Sequence, residues 1–333
     1  MAKQILGWTA LALALAATGV QAADELVVYS GRSKGLVQPL VEQFEKESGV
    51  TVQVRYGETA ELAVALAEEG AKSPADVFWS QDAGALGAVD KLGLLAPLNP
   101  EMVRAAGLPD AFTNPSGTWV ATSGRVRVLA YAPARVSQDQ LPRSVLDLTD
   151  PKWKGRVGWA PTNASFQSFV TALRVLRGEQ AAEDWLRGMK ANEARSYPKN
   201  TPILSAIAAG EIDLGLPNHY YLLRFKTADS EFGAEQTFFA DGDPGNLLNI
   251  AGAGVLKSSK NPHAQKFVEF LLSPRAQQYF ASEVLEYPVT PGIITSSRLV
   301  SMDRLLQAAP PVDLGKLDDL EGTLALLRKV GIL

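Results

Sequence analysis

The sequence predicts an α/β protein built as two lobes around a central cleft, joined by crossing strands at a hinge. Three observations predict it. Short apolar runs alternate with amphipathic segments over residues 26–92. The alternation restarts near residue 130. A late apolar run, residues 247–253, can return the chain to the first lobe. Alternating strand and helix signals of this kind form a largely parallel sheet covered by helices, and 333 residues suffice for two ordinary domains.

Leu26-Val27-Val28-Tyr29, closed by Ser30-Gly31, reads as a buried strand entering a loop. Leu36, Val37, Leu40, Val41 and Phe44 recur at helical spacing, and Gly49 stops that helix. Residues 50–56 alternate as a strand does. Residues 58–69 form a second amphipathic helix closed by Gly70. Asp76-Val77-Phe78-Trp79 is a third strand, and residues 84–92 a third helix. In such sheets ligands sit beyond the carboxyl ends of the strands. Residues 30–34, 57–59 and 80–82 are therefore the first places to look.

The second series opens with a strand at 126–131, preceded by Ser123-Gly124-Arg125. Residues 156–159 and 212–216 read as strands, and 166–176, 181–190, 203–209 and 220–226 as helices. Residues 264–272 and 276–282 are helical, as is 317–327 despite Gly322. The expected division is a leader at 1–23, a first lobe at 24–125 with 250–300, and a second lobe at 126–249 with 301–333.

The first 23 residues read as a secretory signal. Lys3 precedes a mostly apolar run, and Val20-Gln21-Ala22 offers a small-residue cleavage pattern before Asp24. The run is too short to span a bilayer comfortably. Cleavage after Ala22 or Ala23 is expected to leave a soluble periplasmic chain without stable membrane insertion. The net charge of −4 would become −5 on loss of Lys3. There is no basic excess to offset a phosphate backbone, so general nucleic-acid binding is not expected.

The sequence has no cysteine and two histidines, His219 and His263. Thiolate metal sites, cysteine nucleophiles and iron–sulfur clusters are excluded. No HExxH, P-loop, EF-hand or nucleotide fingerprint occurs, and no GxSxG elbow. Nothing positive points to an enzyme. Asp241 and Asp243, beside Gly242 and Pro244, read as an exposed turn.

The most informative segment is residues 210–222, where a buried strand runs into Pro217-Asn218-His219-Tyr220-Tyr221. Adjacent tyrosines on a straight strand face opposite sides. At a strand-to-helix turn both hydroxyls can converge. Two phenolates would then make a hard anionic oxygen site. A free tyrosine has a pKa of about 10, so ionisation at neutral pH needs a strong cation, for which Fe(III) is the plausible natural choice. Residue types alone equally allow two core or surface aromatics.

The chain resembles the periplasmic ferric-iron-binding proteins of bacterial ABC importers, the transferrin-like type II solute-binding proteins. The resemblance rests on ordered pieces along the mature chain. They are Val28-Tyr29-Ser30-Gly31-Arg32, Phe44-Glu45-Lys46, Lys72-Ser73-Pro74-Ala75-Asp76-Val77-Phe78 and Ser123-Gly124-Arg125-Val126-Arg127. Then follow Ala208-Ala209-Gly210-Glu211-Ile212-Asp213, Asn218-His219-Tyr220-Tyr221 and Ser273-Pro274-Arg275-Ala276-Gln277.

The resemblance implies the type II periplasmic binding fold, with Tyr220 and Tyr221 as iron ligands. Other ligands vary between branches, and this chain departs from them. The loop at 31–34 has no histidine, Gln81 stands where one branch has a glutamate, and Phe166 where another has a tyrosine. Gln81 is at best a weak or outer ligand. Tyr197 is the best remaining third ligand. The family often completes iron with a small anion. Asn163, Ser165, Asn200 and Asn218 would suit phosphate, and Arg32, Arg125 and Arg127 make carbonate or bicarbonate attractive, because planar guanidinium donors match a planar oxyanion. Arg125 and Arg127 share one face on a regular strand.

The implied role is capture of Fe(III), with delivery by a monomeric receptor to an inner-membrane ABC permease and no catalytic turnover. The alternative is a metal-free receptor for a small organic or inorganic anion, which the arginines would also fit.

Overall fold

A computed structural model describes residues 25–109 and 112–333. The expected export signal, residues 1–23, lies outside the described residues. Among the described residues no helix is long and apolar enough to cross a membrane.

The chain begins with β1 (Glu25–Ser30), α1 (Lys34–Ser48), β2 (Thr51–Tyr56), α2 (Thr59–Glu69), β3 (Val77–Ser80) and α3 (Ala83–Lys91). α1 forms because Leu36, Val37, Leu40, Val41 and Phe44 fall on one stripe, and all five are buried. Gly49 ends it in the left-handed conformation, at φ 73°. Each such burial contributes roughly 1.5–3 kcal/mol, so Leu40→Ala alone costs about 2–5 kcal/mol. α4 (Pro100–Ala106) and β4 (Trp119–Val126) follow.

The second series is β5 (Leu129–Tyr131), β6 (Val157–Trp159), α5 (Ala164–Arg177), α6 (Glu179–Ala191), β7 (Arg195–Ser196), α7 (Asn200–Ala208), β8 (Leu214–Gly215), α8 (His219–Ala228) and β9 (Glu235–Thr237). β10 (Leu248–Val255) then returns to the first sheet. It is followed by α9 (His263–Leu272), α10 (Pro274–Tyr279), α11 (Met302–Ala308) and α12 (Leu320–Val330).

Two five-stranded sheets result, ordered β2-β1-β3-β10-β4 and β7-β6-β8-β5-β9. β1 runs parallel to β2 and β3, and β6 parallel to β7 and β8. β10 is antiparallel to β3 and β4, and β5 antiparallel to β8 and β9. The sheets are thus mixed rather than largely parallel. The reason is that β4 and β10 carry the chain between the sheets in opposite directions while pairing with each other.

One large apolar cluster covers the first sheet, and two smaller ones cover the two sides of the second. α12 packs on α5 and α6.

Three elements differ from the sequence reading. The run at 126–131 is broken: β4 ends at Val126 and β5 starts at Leu129. The helix expected at 276–282 is α10 followed by a π-helical turn, Phe280–Val284. The last helix starts at Leu320, where Asp319 caps it by accepting from the Gly322 N–H.

Candidate metal centre

The loops after β1, β3, β6 and β8 carry the candidate side chains. β8 is short. The chain passes Pro217, and Asn218, in extended backbone, begins α8. Tyr220 and Tyr221 therefore occupy the first turn of a helix. Their rings lie 4.3 Å apart between centroids, tilted by 32°. Tyr220 is 1% exposed and packs into the first-lobe core, whereas Tyr221 is half-buried. Tyr221 lines a cavity of about 290 Å³ together with Arg32, Gln81, Asn163 and Lys199.

The three arginines are all buried. Arg32 donates from Nη2 to Glu286 Oε2 at 2.8 Å. Arg127 donates to the Leu216 carbonyl and lies over the Phe166 and Phe169 rings, 5.6 and 5.5 Å from their centroids. Arg125 is fully buried, yet none of its three guanidinium nitrogens has a hydrogen-bond partner. A buried cation without acceptors is costly. Its donors suit an oxyanion.

β4 ends at Val126, but the pairing continues in register, since Arg125 lies opposite Asn249, Val126 opposite Leu248, and the Arg127 N–H donates to the Leu247 carbonyl. The charges of Arg125 and Arg127 act on one another. Burial and Arg125 hold the Arg127 guanidinium down to about 9, against the pull of Tyr220 and Tyr221.

The neutral polar residues form a relay across the cleft. Ser165 Oγ accepts from Gln81 Nε2 at 3.1 Å and from Asn218 Nδ2 at 3.2 Å. Asn163 caps α5 through the Ser165 N–H and accepts from Asn200 Nδ2 at 3.4 Å. Gln81 thus serves as a cross-cleft donor. Phe166 is fully buried against Trp159 and Trp185 and brings no oxygen.

Tyr197, like Tyr221, packs against the smallest of the three apolar clusters. It follows β7, and its ring lies over Gly158, where an added Cβ would meet Tyr197 Cε2 at 3.0 Å. Besides burial, the groups acting on its phenol are Glu211 and Arg195. Neither member of the tyrosine pair is among those groups.

Sequence reasoning missed Glu286, Ser123 and the part played by His219, and it marked Asp82 only as part of the 80–82 loop. Glu286 is fully buried and accepts from Arg32 and Ser123. Burial pushes its carboxyl up, but Arg32 and Arg125 prevail and hold it below the usual carboxylate value. Asp82 caps α3 and accepts from Ser168 of α5 at 2.9 Å, and burial raises its pKa. His219 accepts from the Val126 N–H at Nδ1, so its Nε2–H donates to the Leu285 carbonyl, at 3.0 Å. Only the isolated Glu-Tyr-Pro stretch at 286–288 could have hinted at Glu286, and it has no spacing signal.

Burial raises the Tyr220 pKa well above its ordinary value, reinforced by Tyr221 and Glu286 and opposed by Arg32 and Arg125. Tyr220 is therefore a neutral phenol until a strong cation displaces its proton. Among the described residues no group of three or more His, Asp or Glu side chains could hold a metal. Two phenols thus stand side by side, with the charges of Arg32 and Arg125 acting on Tyr220.

A profile of the bacterial extracellular solute-binding protein family matches residues 39–308. The major ferric iron-binding protein of Neisseria meningitidis serogroup A is 36% identical over 336 residues, covering 99% of each chain. The Fe(3+)-binding periplasmic protein of Serratia marcescens is 34% identical over 329 residues, covering 98% of this chain and 96% of its own. The crystal structure of iron-bound HitA from Pseudomonas aeruginosa superposes with a TM-score of 0.87 at 36% identity, over 92% of this chain and 99% of that one. Taken with the two-lobed fold and the tyrosine pair at its cleft, these likenesses show that the chain belongs to the periplasmic ferric-iron-binding proteins, the transferrin-like type II branch of the extracellular solute-binding family.

Proposed function

We propose that this protein captures Fe(III) in the periplasm through Tyr220 and Tyr221, with carbonate as a companion anion, and delivers it to an inner-membrane ABC permease. The observation that carries the reading is the side-by-side tyrosine pair at the start of α8, with Tyr221 open to the cleft. Iron displaces the phenolic protons, as metal binding to protonated ligands requires. The family relatives named for ferric iron support the cargo.

The companion anion is supported by Arg125, whose buried guanidinium has no hydrogen-bond partner and feels the charge of Tyr220. Carbonate fits its planar donors, with Arg32 and Arg127 adding positive charge. Asn163, Ser165, Asn200 and Asn218 already bond with one another or with Gln81, so they make a weaker claim on phosphate. Tyr197 is left out of the proposed ligand set. The lobes we assign, 24–125 with 250–300 and 126–249 with 301–333, would close about the β4 and β10 crossovers as hinges do. The protein would act as a monomeric receptor without turnover.

The test is a visible absorption titration of the iron-free protein with chelated Fe(III), with and without bicarbonate. A tyrosinate-to-iron charge-transfer band saturating at about one iron per chain is expected, strengthened by bicarbonate, since phenolate and anion share the metal's charge. Absence of the band, with a chelator shown to surrender iron, favours the second reading. That reading is a metal-free oxyanion receptor, for which the unpartnered Arg125 speaks equally.

A further inference from the structure

Glu286 lies in none of the loops that sequence reasoning singled out. The segment that carries it is fixed from three sides. The Phe280–Val284 π-helical turn leads to Leu285 at φ 61°, an uncommon conformation for a branched side chain and one that only surrounding structure sustains. The Leu285 carbonyl is held by His219. Tyr287 and Gly124 exchange backbone hydrogen bonds in both directions, at 2.8 and 2.7 Å. Glu286 is thereby pinned beside β4, one residue from the position that pairs with the neighbour of Arg125.

Its surroundings are unbalanced. Glu286 Oε2 receives Arg32 and Ser123, while Oε1 has no partner. Arg125 feels the charge of Glu286 but makes no hydrogen bond to it. One carboxylate is therefore committed to one guanidinium and acts on a second through space. Asp82 also faces Arg125, but burial disfavours its charged form.

Resting on the reading that the cleft takes a small oxyanion, we infer that Glu286 is a positioning residue that sets anion affinity. It holds Arg32 as its own partner, leaves Arg125 as the guanidinium offered to the anion, and weakens binding there by competing as a fixed negative charge. A purely structural ion pair would stabilise the fold without changing how the cleft weighs anions. Glutamine keeps an acceptor for Arg32 and Ser123 and removes only the charge, at a cost in stability that the melt reads.

The experiment is calorimetric titration of the iron-free protein with inorganic phosphate and, separately, with bicarbonate. Glu286→Gln is expected to tighten the preferred anion on the order of ten-fold, as removal of a buried like charge that acts on the same guanidinium should give. Glu286→Asp, which keeps the charge, should stay near the parent. Ser123→Ala, which removes a neutral partner of Glu286, should change affinity by less than about two-fold, since it alters no charge. A thermal melt shows that each variant is folded. Unchanged or weaker anion binding by folded Glu286→Gln overturns the inference. So does saturable binding of neither anion by either protein. Iron is absent throughout, so the charge-transfer titration judges the ferric reading separately: a missing band with tighter anion binding in Glu286→Gln removes the iron and leaves the role of Glu286 standing.

Discussion

Gln81, just past β3 of the first lobe, donates from Nε2 to Ser165 Oγ in α5 of the second, at 3.1 Å. This bond spans the cleft, and Ser165 Oγ also accepts from Nδ2 of Asn218, two residues before Tyr220. Asp82 adds a second cross-cleft bond to Ser168. Closure is thus reported directly to the start of α8. Gln81→Ala should open the cleft more readily without removing a phenol. A buried neutral hydrogen bond contributes about 1 kcal/mol, so iron affinity should fall by about five-fold. Chelator-competition kinetics should show the loss in the release rate. A variant with unchanged release would show that the relay does not hold the lobes together.

The two tyrosines should be separable by substitution. Tyr220 is protonated in the iron-free protein, because burial raises its pKa well above the ordinary phenol value. Iron binding must release that proton, so affinity should fall toward acid. Tyr220→Phe should abolish this share of the release measured in weakly buffered solution. It should also weaken iron by more than the roughly 10–100-fold that loss of an outer partner costs a metal site. Tyr221→Phe should bleach the band comparably, since Tyr221 is the ring that faces the cavity. Tyr197→Phe should leave the band intact. A bleached band in Tyr197→Phe would return that residue to the ligand set.

These differences trace what the sequence could carry. α1 was legible because five buried side chains recur at helical spacing. β4 was read only in part, since Thr122, Ser123 and Gly124 lie buried in it and polar or small residues mask a strand. Tyr220 and Tyr221 were legible because one turn of chain sets both. Glu286 was not, because its partner Arg32 lies 254 positions away and only the pairing of residue 287 with Gly124 brings them together. Tyr197 is a candidate by residue type and place in the chain alone, and besides burial the groups that act on its phenol are Glu211 and Arg195 rather than the pair.

His219 should make the iron-free protein lose stability in mild acid. Burial is the main cause that lowers its pKa from 6.5 to about 4, with Arg125 acting the same way, while Glu286 and the Leu285 and Val126 backbone groups oppose it. The unfolded chain therefore binds a proton that the folded chain refuses. The contribution is fully present above about pH 6.5 and is lost as pH falls to about 4, on the order of 3 kcal/mol in all. His219→Asn keeps an acceptor near Val126 and cannot titrate. Urea melts across this window should show a steeper loss for the parent than for the variant. Equal slopes would mean that His219 is not the neutral staple between Val126 and Leu285.

Gly31 should prove necessary for space rather than for backbone freedom. A Cβ there would lie 1.9 Å from Thr59 Oγ1 and 3.0 Å from the Thr59 Cα, so the side chain cannot simply rotate away. Thr59 Oγ1 also accepts from the Gln81 N–H, at 3.3 Å. Gly31→Ala should therefore push on the Arg32 loop and the Gln81 loop together. Overpacking of this kind costs roughly 1–3 kcal/mol, and iron affinity should fall further than in Gln81→Ala, because Arg32 moves as well. Gly35, where an added Cβ meets nothing within 4 Å, supplies the control: Gly35→Ala should match the parent in melting and in iron binding. Adding Thr59→Gly to Gly31→Ala removes the clashing side chain and should restore most of the lost stability. Restored stability with iron binding still weak would assign the remaining loss to the Thr59–Gln81 hydrogen bond, which the double variant also lacks. Parent-like melting and binding by Gly31→Ala alone would show that the two loops tolerate separation and that their contact does not set the position of Arg32.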